Sequence, residues 1–132
     1  MSAALEAPAH LARAAADRDQ LFQALVNVLR NAIDAMPKGG RLRVRLRGLQ
    51  YGIEIAVVDS GVGMSPDVLA RVLEPFYTTK TNGSGLGLTI AAQIARDHHG
   101  ELKLESREGE GTTVTFRLPA ATEDGDGQDP GN

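Results

Sequence analysis

An apolar run that ends in an acid and is followed by two closely spaced glycines is the feature that most constrains this chain. Residues 53–58 are mainly β-branched and aliphatic and lie between Gly52 and Gly61, which predicts a buried strand. Asp59 stands at the end of that strand, and Gly61 and Gly63 allow a sharp turn without a Cβ facing a ligand. The pattern suits the rim of a binding pocket, although an ordinary strand-to-helix turn uses the same residue types.

Size and composition limit the chain to a single domain with a core of ordinary size. It has 132 residues, no cysteine and a formal net charge of −3, so it has neither a disulfide framework nor a thiolate zinc site. Its basic residues form no phosphate-tracking cluster, which argues against a nucleic-acid partner. Because no apolar stretch approaches membrane-spanning length and no signal peptide is recognisable, we expect a cytoplasmic location without membrane contact.

The strength of the periodic patterns divides the chain into three segments. Residues 1–16 are alanine-rich and weakly periodic, and we interpret them as a linker, a fragment of a preceding helix or a short edge strand. Residues 17–119 carry all the strong patterns and form the predicted domain. Residues 120–132 are acidic and glycine-rich without apolar anchors, which predicts a disordered tail.

Helical spacing predicts a long amphipathic helix from Asp17 to Met36. Its apolar positions are Leu21, Phe22, Leu25, Leu29, Ala32, Ile33 and Met36. Opposite the centre of that stripe, Asn27, Asn31 and Asp34 form one polar ridge. A solvated face would explain such a ridge, but asparagine is a mediocre helix former, and its oxygen suits a ligand or a hydrated Mg²⁺.

Period-two alternation predicts two antiparallel hairpins. Residues 41–47 alternate arginine with leucine or valine and pair with the strand that ends at Asp59. Residues 101–107 and 112–118 form the second hairpin, in which Thr112 shares the inward parity of the apolar residues. The arginine row could form a nucleic-acid surface, but a solvated sheet face is the favoured interpretation.

A short helix after Ser65 and an aperiodic loop over residues 74–84 precede the second long helix. That helix opens with glycines at residues 85 and 87 and is expected to end at Gly100. Glycines at a helix start form an anion site, since free N–H groups and the positive end of the helix dipole face a phosphate. The spacing matches neither a Walker loop nor a dinucleotide fingerprint.

Taken together, residues 17–119 resemble the catalytic, ATP-binding domain of bacterial sensor histidine kinases, in the superfamily that includes gyrase, the Hsp90 chaperones and MutL. Five motifs carry the resemblance: an N box, a first glycine box, an F box, a second glycine box and a closing Gly-Thr motif, at residues 27–32, 59–64, 74–80, 83–88 and 109–113. Each motif alone is weak, but five in the right order are specific. The implied fold is a two-layer α/β sandwich (Bergerat fold) with a mixed, mostly antiparallel sheet and helices on one face.

The resemblance implies ATP as a cofactor and assigns residues to its adenine end. Asp59 would accept a hydrogen bond from the adenine amino group and would hold a water shared with Thr112. Met64 would wall the ring, and Gly61 and Gly63 would shape the loop beside it.

The resemblance also implies Mg²⁺ and a phosphate end. Asn31 would ligate the metal and Asn27 would place its waters and the triphosphate, which makes both catalytic candidates. Asp34 is a further cofactor-binding candidate, although many histidine kinases carry a basic residue there. The phosphates would lie against Gly83, Ser84, Gly85, Leu86, Gly87 and Leu88. Residues 64–84 would form an ATP lid, with Phe76 packing to set its position and Lys80 contacting a phosphate.

The predicted function is that of a catalytic domain that transfers the γ-phosphoryl group of ATP to a histidine on a separate dimerisation domain. A response regulator would be an indirect partner, and the chain itself would be a monomer. His10 is followed by Leu11 rather than by an acid, so the accepting histidine is expected elsewhere.

Asn27 bears on the alternatives. ATP-hydrolysing relatives and serine kinases of anti-sigma type carry a glutamate base at this position. An amide cannot take a proton from water or serine, which favours a histidine acceptor. A serine kinase or ATPase of the same fold, or a non-catalytic ATP-sensing module, remains the alternative.

Overall fold

The computed structural model describes residues 2–6, 18–74 and 87–119, and these residues form five strands and three helices. In chain order the elements are β1 (Ser2–Glu6), α1 (Arg18–Asp34), β2 (Arg41–Leu49), β3 (Gly52–Asp59), α2 (Pro66–Arg71), α3 (Gly87–Asp97), β4 (Glu101–Arg107) and β5 (Gly111–Pro119). The sheet order is β1-β2-β3-β5-β4, with β1 parallel to β2 and the other neighbours antiparallel. The predicted two-layer α/β sandwich with a mixed, mostly antiparallel sheet is confirmed.

Because side chains alternate between the two faces of each strand, one set of them packs beneath the helices. Helices α1 and α3 pack against each other and against this face of the sheet. The core residues are Ala24, Val28, Ala32, Met36, Leu42, Ile53, Ile55, Val57, Leu88, Ala91, Ile94, Ala95, Val114, Phe116 and Leu118. In the strand register Asp59 lies opposite both Leu42 and Thr112. The predicted acid and the predicted threonine therefore meet at one end of the buried face.

The opposite face of the sheet is charged and cross-linked by ion pairs. The arginines of β2 point away from the core, as predicted. Arg47 contacts Glu54 at 2.8 Å, and Arg117 contacts the same carboxylate at 3.0 Å across the neighbouring strand. Because Glu54 is only 12% exposed at its side chain, these pairs fasten three central strands together on the solvent side.

The buried face of α1 differs from the predicted one. Phe22 and Ile33 were expected in the apolar stripe, but they are 69% and 46% exposed. The other five predicted positions pack as expected, since Ala32 and Met36 are buried and the three leucines lie against the core. Ala24 and Val28, which were not predicted, complete the buried stripe that faces α3. The polar ridge consequently borders the buried face and does not lie opposite it, and Asn27 and Asn31 are half-buried.

The helix ends agree with most of the sequence predictions. Ser65 caps α2, its Oγ accepting from Val68 N at 3.3 Å, and Pro66 occupies the first turn. At the end of α3 the left-handed position is held by His99, with φ of 63°, and not by the expected Gly100. Gly100 N–H still donates to Ala95 O at 2.8 Å, which closes the last turn.

The N-terminal segment contributes an edge strand. Residues 2–6 pair in parallel with β2, which was one of the three interpretations of residues 1–16. The predicted Asp17 cap, residues 75–84 of the lid and the C-terminal tail lie outside the described residues, and the three segment boundaries stay predictions. None of the described helices combines the length and the apolar character needed to cross a membrane.

Candidate functional site

Asp59 lies at the end of β3 as a buried and firmly oriented carboxylate. Both Asp59 and Thr112 are 5% exposed. Oδ1 of Asp59 accepts hydrogen bonds from Gly61 N at 2.8 Å and from Thr112 N at 3.2 Å. Burial raises the pKa of the Asp59 carboxyl, and the two backbone hydrogen bonds offset part of that rise.

The second oxygen of Asp59 is available to a ligand. No described residue donates to Oδ2. Oδ2 is not fully buried within the described part of the chain. Oδ2 is therefore an acceptor without a partner among the described residues, and the two bonds to Oδ1 set its direction, which suits recognition of an amino group.

The loop from residue 60 to 64 is held from two sides. Ser60 N donates to Arg41 O at 3.1 Å, and Val62 N donates to Ala35 O, just beyond α1, at 3.0 Å. From the other side, Gly109 N in the β4–β5 turn donates to Val62 O at 2.7 Å. These bonds fix the backbone of the first glycine box between the end of α1 and the second hairpin.

The two glycines of this loop are required by its protein neighbours. A Cβ on Gly61 would lie 2.5 Å from Ala35 O. Gly63 has a φ of +70°, and a Cβ there would collide with Arg107 O. Space for a ligand was the predicted reason for these glycines, whereas the geometry shows close backbone contacts within the protein.

Ser106 joins the loop to the second hairpin and was not among the residues predicted from sequence. Its Oγ accepts from Met64 N at 2.8 Å and lies 2.8 Å from Thr112 Oγ1. It also donates to Gly111 O at 3.0 Å. The one available signal was that Ser106 has the same parity as the inward residues of β4.

A second polar region lies where α1 meets the start of α3. A Cβ on Gly87 would lie 3.9 Å from Asn27 O, so these two predicted residues are neighbours. The side-chain Nδ2 of Asn27 is fully buried and has no acceptor among the described residues. Helix α3 begins at Gly87, and the first N–H groups of an α-helix lack intrahelical partners. An anion or a water held here would satisfy several donors at once.

The remaining residues of the predicted phosphate end divide into two groups. Asn31 is half-buried one turn from Asn27, and Asp34 is exposed. Leu88 is a core residue at 5% exposure, so only its backbone could contact a ligand. The other predicted residues, Phe76, Lys80, Gly83, Ser84, Gly85 and Leu86, lie outside the described residues.

The donor set fits a magnesium ion that is bound mostly through water and phosphate. Within residues 2–6, 18–74 and 87–119, no three His, Cys, Asp or Glu side chains form a metal cluster. Mg²⁺ takes hard oxygen ligands, keeps several waters and often binds through nucleotide phosphates. Amide oxygens of Asn31 and Asn27 suit that mode, since either amide can present oxygen or nitrogen by a half rotation.

Comparison with known proteins identifies the family. The profile of the family described as histidine kinase-, DNA gyrase B- and HSP90-like ATPase matches residues 16–122. The chain belongs to this ATPase family. Sporulation kinase E of Bacillus subtilis (strain 168) is 46% identical over 102 residues, which cover 76% of the chain and 14% of that kinase. The chain thus spans a small part of the length of this curated relative.

Solved structures of the ATPase family agree with the fold. The catalytic domain of histidine kinase ThkA, in a nucleotide-free form, superposes with a TM-score of 0.80 at 30% identity, covering 92% of this chain and 81% of that one. Full-length ShkA in complex with AMPPNP gives a TM-score of 0.71 at 27% identity, covering 89% and 26%. The resemblance to histidine kinase catalytic domains inferred from the five motifs is confirmed.

Proposed function

We propose that this chain is the Mg²⁺-ATP-binding catalytic domain of a sensor histidine kinase, and that it transfers the γ-phosphoryl group of ATP to a histidine on a separate dimerisation domain. The observation that carries the proposal is the Asp59 carboxylate. Two backbone donors hold its Oδ1, and its Oδ2 remains available in a domain of this ATPase family.

At the adenine end, Asp59 accepts from the exocyclic amino group of ATP. Because a carboxylate can only accept hydrogen bonds, it favours an amino group over the carbonyl that guanine carries at the same position. The clamped loop over residues 60–64 provides a wall that includes Met64 and does not need to form on binding. Full-length ShkA, a structural neighbour, was solved with the ATP analogue AMPPNP, which supports an adenine nucleotide as ligand.

At the phosphate end, Asn27, Asn31 and the start of α3 receive the triphosphate and its metal. The orphaned Nδ2 of Asn27 gains an acceptor when a phosphate oxygen or a metal-bound water lies beside it. Bound Mg²⁺ would supply charge neutralisation on the transferred phosphoryl group. Gly87 and Leu88 offer backbone N–H groups. Together with Asn27 and Asn31, they hold the phosphates in line by position and by electrostatic interaction.

Histidine is the proposed acceptor because the site offers no base at position 27. Asn27 cannot remove a proton from a serine hydroxyl or from water, whereas a neutral imidazole is already nucleophilic. Sporulation kinase E is named as a kinase, and the structural neighbour ThkA is named as a histidine kinase. The histidine-bearing domain, a response regulator downstream, a monomeric state and a cytoplasmic location belong to the proposal.

The proposal is tested by phosphotransfer to a supplied domain. The protein is incubated with radiolabelled Mg²⁺-ATP and an isolated histidine-bearing dimerisation domain of a sensor histidine kinase, with Asp59→Asn and Asp97→Asn in parallel. We expect acid-labile, alkali-stable phosphate on the added domain with wild type and Asp97→Asn, and none with Asp59→Asn.

Other outcomes distinguish the alternatives. Acid-stable phosphate on a serine would indicate a serine kinase of the same fold. Tight ATP binding without transfer to this domain or to other histidine-bearing domains would indicate an ATP-sensing module.

A further inference from the structure

We infer that Ser106 is a positioning residue for adenine recognition, whose hydroxyl holds Thr112 and the Met64 backbone in place so that Asp59 meets the amino group of the base. The inference rests on the proposed function and extends it to a residue outside the five motifs. It concerns how well the site distinguishes a 6-aminopurine from other purines.

Three strands place Ser106 in line with the carboxylate. In the register of β4 and β5, Ser106 lies opposite Thr112, and in the register of β5 and β3, Thr112 lies opposite Asp59. The side chain of Ser106 reaches Thr112 Oγ1 at 2.8 Å, and the backbone of Thr112 reaches Asp59 Oδ1 at 3.2 Å. Ser106 thus contacts Thr112, the residue that orients Asp59, and not Asp59 itself.

The Ser106 hydroxyl also holds the backbone of Met64, which forms a wall of the proposed adenine pocket. Met64 N donates to Ser106 Oγ at 2.8 Å, across 42 residues of sequence. Met64 ends the glycine loop, which Gly109 and Ala35 hold only as far as Val62. The bond to Ser106 therefore determines where the backbone of Met64 lies relative to Asp59 and Thr112.

The hydrogen-bonding capacity of the Ser106 hydroxyl is used up by protein neighbours, so Ser106 acts on the site through them. A hydroxyl has one proton and two lone pairs. One arrangement satisfies all three contacts: Ser106 donates to Gly111 O and accepts from Met64 N and from Thr112 Oγ1. The hydroxyl then has no capacity left for a ligand. Its removal would leave the Met64 N–H and the Thr112 hydroxyl without this partner.

A nucleotide pair tests this role. Mg²⁺-ATP and the triphosphate of purine riboside differ in the 6-amino group, so their affinity ratio reports recognition of that group. Calorimetric titration of both into wild type and Ser106→Ala compares the ratios. Ser106→Thr keeps the hydroxyl, and Thr115→Val removes a hydroxyl from the other face of β5 as a control.

We expect Ser106→Ala to bind ATP roughly five- to tenfold more weakly than wild type, the range of one lost neutral hydrogen bond. The preference for ATP over purine riboside triphosphate should fall with it. Ser106→Thr and Thr115→Val should keep both the affinity and the preference. A residue that only stiffens the hairpin would lower the melting temperature and leave the preference unchanged.

The outcomes separate this inference from the proposed function. If wild type binds ATP and Ser106→Ala keeps the wild-type preference, the inference is overturned and the proposed function stands. If wild type does not bind ATP, the proposed function fails and this inference fails with it. Should Ser106→Ala not fold, Ser106→Cys keeps the shape with a weak donor and gives the same comparison.

Discussion

Thr112 donates its backbone N–H to Oδ1 of Asp59 at 3.2 Å, although 53 residues separate them in sequence. They are register partners at the ends of β5 and β3, and Gly61 N–H reaches the same oxygen at 2.8 Å. Two donors on one oxygen fix the direction of the other oxygen before any ligand arrives. The arrangement has an energetic consequence, because burial disfavours the charge that binding requires.

We predict that Asp59→Asn raises the free energy of unfolding at neutral pH. The raised pKa means that the folded state binds the Asp59 proton more tightly than the unfolded state does. Wild-type stability therefore falls as pH rises from the ordinary value of 3.8 through the raised pKa. Asparagine is uncharged, and its Oδ1 can still accept from Gly61 N and Thr112 N.

Urea unfolding of wild type and Asp59→Asn over a pH series measures this effect. The stability gap should be largest near pH 7 and should shrink as the pH falls through the Asp59 pKa. Asp97→Asn, at the exposed far end of α3, controls for the loss of one negative charge. A variant that is less stable than wild type at pH 7 would contradict the burial argument.

Gly63→Ala should destabilise the protein by about 1–3 kcal/mol, because it adds a side chain at a left-handed φ and against Arg107 O. Gly48→Ala is the matched control, since nothing lies within 4 Å of its Cβ position. It should change the free energy of unfolding by less than about 0.5 kcal/mol. Equal effects of the two substitutions in urea unfolding would show that the loop is not clamped against the second hairpin.

Asn31→Ala should remove most of the gain in ATP affinity that Mg²⁺ provides. In wild type, ATP should bind more tightly with Mg²⁺ than with EDTA, and in the variant the difference should fall on the order of tenfold. Affinity for metal-free ATP should change little. Gln93→Ala, which removes an exposed amide from α3, should behave as wild type. An unchanged Mg²⁺ dependence in Asn31→Ala would place the metal elsewhere.

The corrected buried face of α1 also has a direct test. Val28 is 1% exposed, and Val28→Ala should cost about 2 kcal/mol of unfolding free energy from two lost methyl groups and a small cavity. Phe22→Ala, at a side chain 69% exposed, should cost less than about 0.5 kcal/mol. The reverse order would restore the apolar stripe that sequence spacing first suggested.

The sequence predicted the sheet well and the helix face less well, for a physical reason. In a sheet with one buried face, side chains alternate between the two faces, so the apolar residues of a strand identify its inward set, as along β5. Helix α1 packs against both α3 and the sheet, so the residues that it buries depend on how closely α3 can approach it. Small residues such as Ala24 and Ala32 fill the buried stripe, while larger Phe22 and Ile33 remain outside.

The candidate site was predictable where local chemistry marks it. Asp59 follows a buried strand and precedes spaced glycines, which is a signal within ten residues of sequence. Ser106 gives no such signal, because a serine in an alternating strand is ordinary and its partner Met64 lies 42 residues away. The backbone packing that requires Gly61 and Gly63 was equally invisible, since Ala35 and Arg107 approach them only in the folded protein.

The most direct test of the account is calorimetric titration of ATP with Mg²⁺ into wild type and Asp59→Asn, both checked for folding by thermal unfolding. Loss of a hydrogen bond to a charged acceptor predicts roughly 10- to 100-fold weaker binding by the variant, although it folds at least as stably as wild type. No ATP binding by wild type, or equal affinity in the two proteins, would contradict the adenine pocket and with it the proposed kinase function.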